Sequence, residues 1–323
     1  MQLFCGIVLL GIGVYAGRAT APSQFTPQQA LRETGYKYIE PLLTCSVNPS
    51  NHTDDLALRS KVLSYIKTLP KDTDVSVYFQ EFRSGGNWMG INENEVYAPA
   101  SMLKLPTLMA VLKYADSNAD FLSKKLYYDG SFNYDDLEYF RPQQAIKPKQ
   151  YYTVDQLLTY TIVYSDNNAM YLLNSNIDQS SLESIYINMG IQLPEDLDQN
   201  PDFMSAKTYS LFLRILFNST YLSHNSSEKA LALMTEADFP QGIEAGIPDS
   251  IDVAQKYGER EIATSDGTAT ARELHDCGIV YVPNNPYVLC VMTRGEDYNS
   301  LATTIAGISR IVYGQVAAEK SLW

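Results

Sequence analysis

Histidine, tryptophan and cysteine are scarce in this chain, at three, two and four among 323 residues. His52, His224 and His275 form no pair at metal-ligand spacing, so neither a metal nor any other cofactor is expected. Cys5, Cys45, Cys277 and Cys290 are too few and too scattered for a disulfide framework or a metal cluster. Basic residues are outnumbered, 24 Lys and Arg against 37 Asp and Glu, and no long basic stripe is present. That excludes nucleic acid as an expected partner, because binding phosphates requires concentrated positive charge. What is there, 45% hydrophobic and 11% aromatic residues, suffices to bury a substantial core. One large domain, or two intimately joined, is expected, as a monomer.

The N-terminus differs from the body. Residues 3–16 are apolar, and no charge precedes Arg18. The run is similar to the hydrophobic part of an export signal or membrane anchor, but lacks a basic leader and is short for a membrane span. Residues 1–20 are therefore expected to export the chain or tether it at the surface. Cys5 precedes most of the run and is poorly placed for a processed lipoprotein cysteine.

Residues 21–70 read as a helical extension. Thr26, Pro27 and Gln29 supply a cap, a first-turn proline and a capping-box partner for a helix over 26–44, and a second helix is expected over 55–68. The period then changes. VSVYFQEF (75–82) and WMGINENEVYA (88–98), separated by Ser-Gly-Gly-Asn, read as a strand hairpin. From about 101 to 235 nearly every apolar pattern is helical, including TVDQLLTYTIV with a Thr153–Gln156 capping box. Strands return around 252–257 and in a hairpin over 277–292, and a last helix is expected over 300–318. If Val282 and Tyr287 flank that hairpin's loop, Cys277 and Cys290 share a sheet face without being directly opposed, which predicts buried free thiols. The order of elements predicts an α+β fold. Two early and three late strands form one antiparallel sheet, flanked by N- and C-terminal helices, with an all-helical subdomain inserted over about 101–235. Such an insertion creates a cleft, a usual place for a small-molecule site.

Three short motifs fall on that cleft. In SMLK, Ser101 opens a long apolar helix and Lys104 follows one turn later; taken alone, the pair is equally a cap and a snorkelling side chain. In YSDNNAM, Ser165, Asp166 and Asn167 interrupt two apolar helical segments, and in QKYG, Lys256 and Gly258 sit on a strand edge. Each is weak alone, as a helix-terminus turn or a surface lysine before a loop glycine. Their order within sheet, helical insertion and sheet is far more specific.

With these motifs the chain resembles the penicillin-recognising serine hydrolases, specifically the class A beta-lactamase family, whose signature is Ser-x-x-Lys, Ser-Asp-Asn and Lys-Thr-Gly. The likeness covers roughly 70–318 and makes 71–320 the hydrolase domain; the third motif departs from the pattern, with Tyr257 in place of threonine. The resemblance implies Ser101 as nucleophile, Lys104 as base and Ser165 as proton relay. It implies substrate binding by Asn167, Lys256, Tyr257 and Gly258, and an oxyanion hole from the backbone N–H groups of Ser101 and Glu259. The substrate would be a beta-lactam or a peptidoglycan-like acyl compound. A D-alanyl-D-alanine carboxypeptidase and a noncatalytic surface protein that keeps the fold are the alternatives. The family's Glu-x-x-Leu-Asn loop, whose glutamate activates the water that releases the acyl group, has no counterpart in GIQLPEDLDQNPDFMSAKTYS. Asp202 is the nearest replacement there, with Glu195 and Asp198 behind it, and release slower than acylation is expected. His275 reads as a strand-start surface or capping residue.

Overall fold

The computed structural model describes residues 31–43, 52–83, 85–134, 138–197, 199–264 and 267–320. The N-terminal apolar run, Cys5, Cys45, Asp198 and the cap at Thr26–Gln29 lie outside the described residues. The centre is a six-stranded sheet made of β1 (Thr53–Asp54), β2 (Asp74–Glu81), β3 (Asn87–Ile91), β8 (Val253–Ala263), β9 (Ala269–Val280) and β10 (Tyr287–Gly295), in the order β1-β3-β2-β10-β9-β8. The expected five strands pair antiparallel, and short β1 adds a parallel edge beside β3.

The central strand β10 shows why these sequences form strands. Tyr287, Leu289 and Val291 face one apolar cluster with helix α1 (Leu56–Ile66) and the last helix, α8 (Tyr298–Lys320). Val288, Cys290 and Met292 face the other, which is the helical body. A strand covered on both faces needs a continuous apolar run, and YVLCVM is one.

The helical body holds α2 (Lys104–Ser117), α3 (Val154–Val163), α4 (Asn167–Asn174), α5 (Gln179–Asn188), α6 (Ala206–Phe217) and α7 (His224–Thr235). Every residue from Lys104 to Leu112 is buried, so α2 is the central helix, apolar all round. Pro106 sits in its first turn, where no intrahelical N–H bond is lost. The Thr153–Gln156 capping box opens α3 as expected. The body is not wholly helical: β5 (Lys125–Tyr128) pairs with β6 (Gln150–Thr153). Where the chain passes between sheet and body, β4 (Val96–Tyr97) pairs with β7 (Met204–Ser205).

Three expectations are corrected. Residues 31–43 are not helical; they form an irregular strap over the end of α6. The backbone N–H groups of Glu40 and Leu42 donate to Phe217 and Asn218, and those of Lys37, Tyr38 and Ile39 donate to the Glu228 carboxylate. With Gly35 at φ 112° and Pro41 lacking an N–H, these tertiary bonds win over local helix signals. Second, Cys277 and Cys290 are register partners and form a disulfide. The last paired residues are Val280 and Tyr287, so the loop takes 281–286 and Val282 lies inside it. That longer loop brings the two cysteines directly opposite. Third, His275 is fully buried within β9. Its Nδ1 accepts from Thr293 N–H and its Nε2 donates to Ala98 C=O, which fixes a neutral tautomer, and burial lowers its pKa to about 3.

Candidate active site

Pro99 leads into a 3₁₀ turn over Ala100–Leu103, which runs straight into α2 and sets Ser101 one turn ahead of Lys104. Ala100 has φ 48° and Ser165 φ 57°, left-handed conformations that cost on the order of 1–3 kcal/mol each and cluster at functional sites. Strand β8 runs tightly against this turn. A Cβ on Gly258 would lie 2.5 Å from the Pro99 carbonyl oxygen and 3.0 Å from the Met102 nitrogen, so only glycine fits.

The side chains of all three motifs converge. Lys104 Nζ donates to Ser101 Oγ at 2.6 Å, to Ser165 Oγ at 3.2 Å and to Asn167 Oδ1 at 2.5 Å. Lys256 Nζ donates to the same Ser165 Oγ at 3.0 Å and to the Tyr257 carbonyl at 3.0 Å. Ser165 thus bridges two lysines, and both are buried. Unshared burial of two ammonium groups would be prohibitive, and the shared acceptors are what make it tolerable. Burial first, and then the neighbouring Lys104 charge, push the Lys256 pKa well below its ordinary value. An anionic ligand here would oppose that fall.

Asp166 has a different task. Its Oδ1 accepts from Ala169 N–H at 2.7 Å, capping α4, and its Oδ2 accepts from Ile146 N–H at 2.7 Å, pinning the β5–β6 connection against it. Above the lysines opens a pocket of about 650 Å³, lined by Ser101, Glu138, Asn167, Glu259, Arg260 and Arg272 among others.

Residues 58–316 match the profile of the beta-lactamase enzyme family. The chain belongs to that family. No curated protein sequence matches it. Among solved structures, PBP-A aligns over 83% of this chain and 98% of its own, at 21% identity and a TM-score of 0.67. A beta-lactamase from Sphaerobacter thermophilus aligns over 82% and 98%, at 19% identity and a TM-score of 0.67. A class A beta-lactamase from Mycobacterium abscessus aligns over 80% and 99%, at 22% identity and a TM-score of 0.65. These likenesses show the shared beta-lactamase and transpeptidase-like fold.

Against this family frame, two residues named from sequence stand apart from the pocket. Asp202 Oδ2 lies 2.7 Å from Arg294 and its Oδ1 3.3 Å from Arg260, and both arginines also reach the buried Glu273. Asp202 and Arg294 line a neighbouring groove that meets the Ser101 pocket at Arg260. Tyr257 is packed rather than exposed. Its ring stacks on Phe239 with centroids 4.0 Å apart, its hydroxyl donates to the Phe140 carbonyl at 3.4 Å, and Lys256 Nζ lies 4.1 Å from its ring centroid. A tyrosine in this position makes floor beside Lys256, with its hydroxyl between the Phe140 carbonyl and Ser165.

Sequence reasoning passed over Glu138. Its side chain is 7% exposed, its Oε1 accepts from Asn167 Nδ2 at 2.8 Å, and it lies 3.8 Å from Lys104 Nζ. Glu259 holds the loop that carries it: its carboxylate accepts from Tyr139 N–H at 2.6 Å and from Phe140 N–H at 3.2 Å. Desolvation raises the Glu259 pKa, and those two N–H groups oppose the rise. Nothing in DDLEYF marks Glu138, because its placement depends on a loop folding back across the start of α4.

Proposed function

We propose that this protein is a serine hydrolase of the beta-lactamase kind, acylated on Ser101 by a beta-lactam or a related acyl compound. The observation that carries the reading is the continuous contact Ser101–Lys104–Ser165–Lys256, which supplies nucleophile, base, relay and anion partner in one connected set. Lys104, as the neutral amine, takes the Ser101 hydroxyl proton while Oγ attacks the amide carbonyl. The carbon–nitrogen bond then breaks, and the proton passes through Ser165 to the leaving nitrogen. The oxyanion is met by the N–H groups of Ser101 and Glu259, both at the pocket wall. Lys256 binds the substrate carboxylate from below, and Asn167 flanks the substrate's side-chain amide at the pocket wall. A mutant of PBP-A has been captured as an acyl-enzyme with penicillin G, and the same ester is expected here.

Peptidase action on a D-alanyl-D-alanine substrate is the second reading. It is favoured by the segment where the family carries its deacylating glutamate: Asp202 is held by arginines, and Asp196 accepts from Gln199 N–H within its own turn. Full-length protein incubated with penicillin G is expected to gain the mass of one penicillin. Steady hydrolysis of penicillin decides for the lactamase. A persistent adduct, with turnover of a D-alanyl-D-alanine peptide, decides for the peptidase. No adduct and no turnover of either compound overturns both readings and leaves a noncatalytic surface protein.

The Cys277–Cys290 disulfide supports an extracytoplasmic address, since such bonds persist in oxidising compartments, and it adds about 3 kcal/mol at this loop length. The described residues contain no helix long and apolar enough to cross a membrane, so export or tethering rests on the N-terminal run. In unfolded, unreduced protein purified from its native source, iodoacetamide is expected to miss Cys277 and Cys290, which become reactive only after reduction. Full labelling before reduction would remove this support.

A further inference from the structure

The pocket contains a carboxylate that the acylation chemistry does not use. We infer that Glu138 is the general base for acyl-enzyme release, replacing from a different loop the glutamate missing between α5 and α6. The inference rests on the acylation reading above and extends it to the second half of the cycle.

Three observations carry it. Glu138 and Ser101 line the same pocket, so a water beside the acyl group on Ser101 has this carboxylate within the cavity. Glu138 Oε1 is in ion-pair range of Lys104 Nζ, which itself touches Ser101 Oγ, so a proton has a short route back to the serine. The carboxylate is also held in place. Asn167 Nδ2 donates to it, Glu259 fixes the next two residues, and Tyr134 N–H donates to Asn168 Oδ1 on the other side. The aromatic ring of Tyr139 stacks on Tyr298 at 4.7 Å, which ties the same loop to α8.

Among the described residues, the charged groups near Glu138 include Lys104 on α2 and Lys256 on β8. The hydrogen bond that Asn167 Nδ2 donates to Oε1 favours the ionised carboxylate, the form a base must have. Other carboxylates of the pocket are engaged elsewhere, Glu259 by Tyr139 and Phe140 N–H, Glu261 by Arg272 and Asp297 by Ser300 N–H, and Asp202 neutralises Arg260 and Arg294. Its lone pairs face arginines, and it lines the other groove.

The step balances without any further reagent. The water oxygen bonds to the acyl carbon as Glu138 takes one water proton. The bond from the acyl carbon to Ser101 Oγ then breaks, the proton passes from Glu138 to the Lys104 amine, and Lys104 returns a proton to Oγ. The products are the free carboxylic acid and the resting serine. Glu138 touches the reacting water and is a catalytic residue in this scheme.

Glu138→Gln separates chemistry from positioning, because glutamine's side-chain oxygen can still accept from Asn167 Nδ2 while its basicity is gone. Time-resolved intact-mass measurement with penicillin G is expected to show acylation within about tenfold of wild type. Release is expected to slow by about 10²–10⁴-fold, the usual contribution of a general base. The acid limb of the wild-type release rate is expected to vanish in the variant. Glu138→Ala, whose fold is checked by circular dichroism, is expected to regain part of the release rate with added formate, and Asp202→Asn is expected to release at the wild-type rate. Wild-type release by E138Q, equal losses of acylation and release, failure of formate to rescue, or trapping by D202N alone would each overturn the assignment and leave Ser101 acylation standing. No adduct on the wild-type protein would overturn both.

Discussion

Ser101→Ala is expected to lose penicillin labelling completely. Wild-type protein should show one added penicillin mass and the variant none, and turnover of any substrate should fall on the order of 10⁶-fold, as in serine hydrolases deprived of their nucleophile. The fold should survive. The substitution removes a single oxygen from a half-buried position, and Lys104 Nζ keeps Ser165 Oγ and Asn167 Oδ1 as acceptors. Losing one hydrogen-bond partner of a buried lysine costs about 1–3 kcal/mol, within the stability of a domain with two apolar clusters. Undiminished labelling of S101A would move the nucleophile elsewhere and dissolve the reading of the site. Thermal melting of both proteins ensures that loss of labelling is not loss of structure.

The parts of this site that were legible in sequence are those fixed by local geometry. A lysine three residues after a serine shares its helical face, and the contact at 2.6 Å follows from that spacing with little help from elsewhere. A helix interrupted at Ser165 must turn there, and Ser165 takes a left-handed φ in doing so. Gly258 could be read as special, though its reason, the close approach of β8 to the Ser101 turn, needed the third dimension. What could not be read depends on long-range choices. Glu138 is an unremarkable acid until its loop is pinned by Asn167, Asn168 and Glu259, residues drawn from α4 and β8. Asp202 had a suitable place in the chain, but Arg294, 92 residues away, takes its carboxylate.

The sheet taught a similar lesson. Alternation was masked on strands covered on both faces, so the register of β9 and β10 hung on loop length alone, and a longer loop turned two predicted thiols into a disulfide. The strap at 31–43 shows the opposite failure. Backbone groups of this 13-residue stretch that meet carbonyls and a carboxylate on α6 and α7 have no need of helical partners.

Lys104→Ala is expected to slow acylation by about 10²–10⁴-fold while leaving the binding of a carboxylate-bearing substrate nearly intact. The two effects separate because the two lysines divide the work. Lys104 touches Ser101 Oγ, whereas Lys256 reaches Ser165 and the Tyr257 carbonyl. Removing Lys104 also removes a positive charge that lowers the Lys256 pKa, so Lys256 should hold its proton to higher pH in the variant. A carboxylate ligand should then bind at least as well as in wild type, with the alkaline limb of its binding profile displaced upward. Stopped-flow acylation across pH, with substrate affinity measured in the same series, reads both quantities. A lost rate constant with preserved affinity and an upward-shifted limb identifies Lys104 as the base. Acylation by a folded K104A at the wild-type rate would instead make the buried lysine a structural bridge between α2 and the Ser165 turn, and proton abstraction would have to be reassigned to Lys256 acting through Ser165.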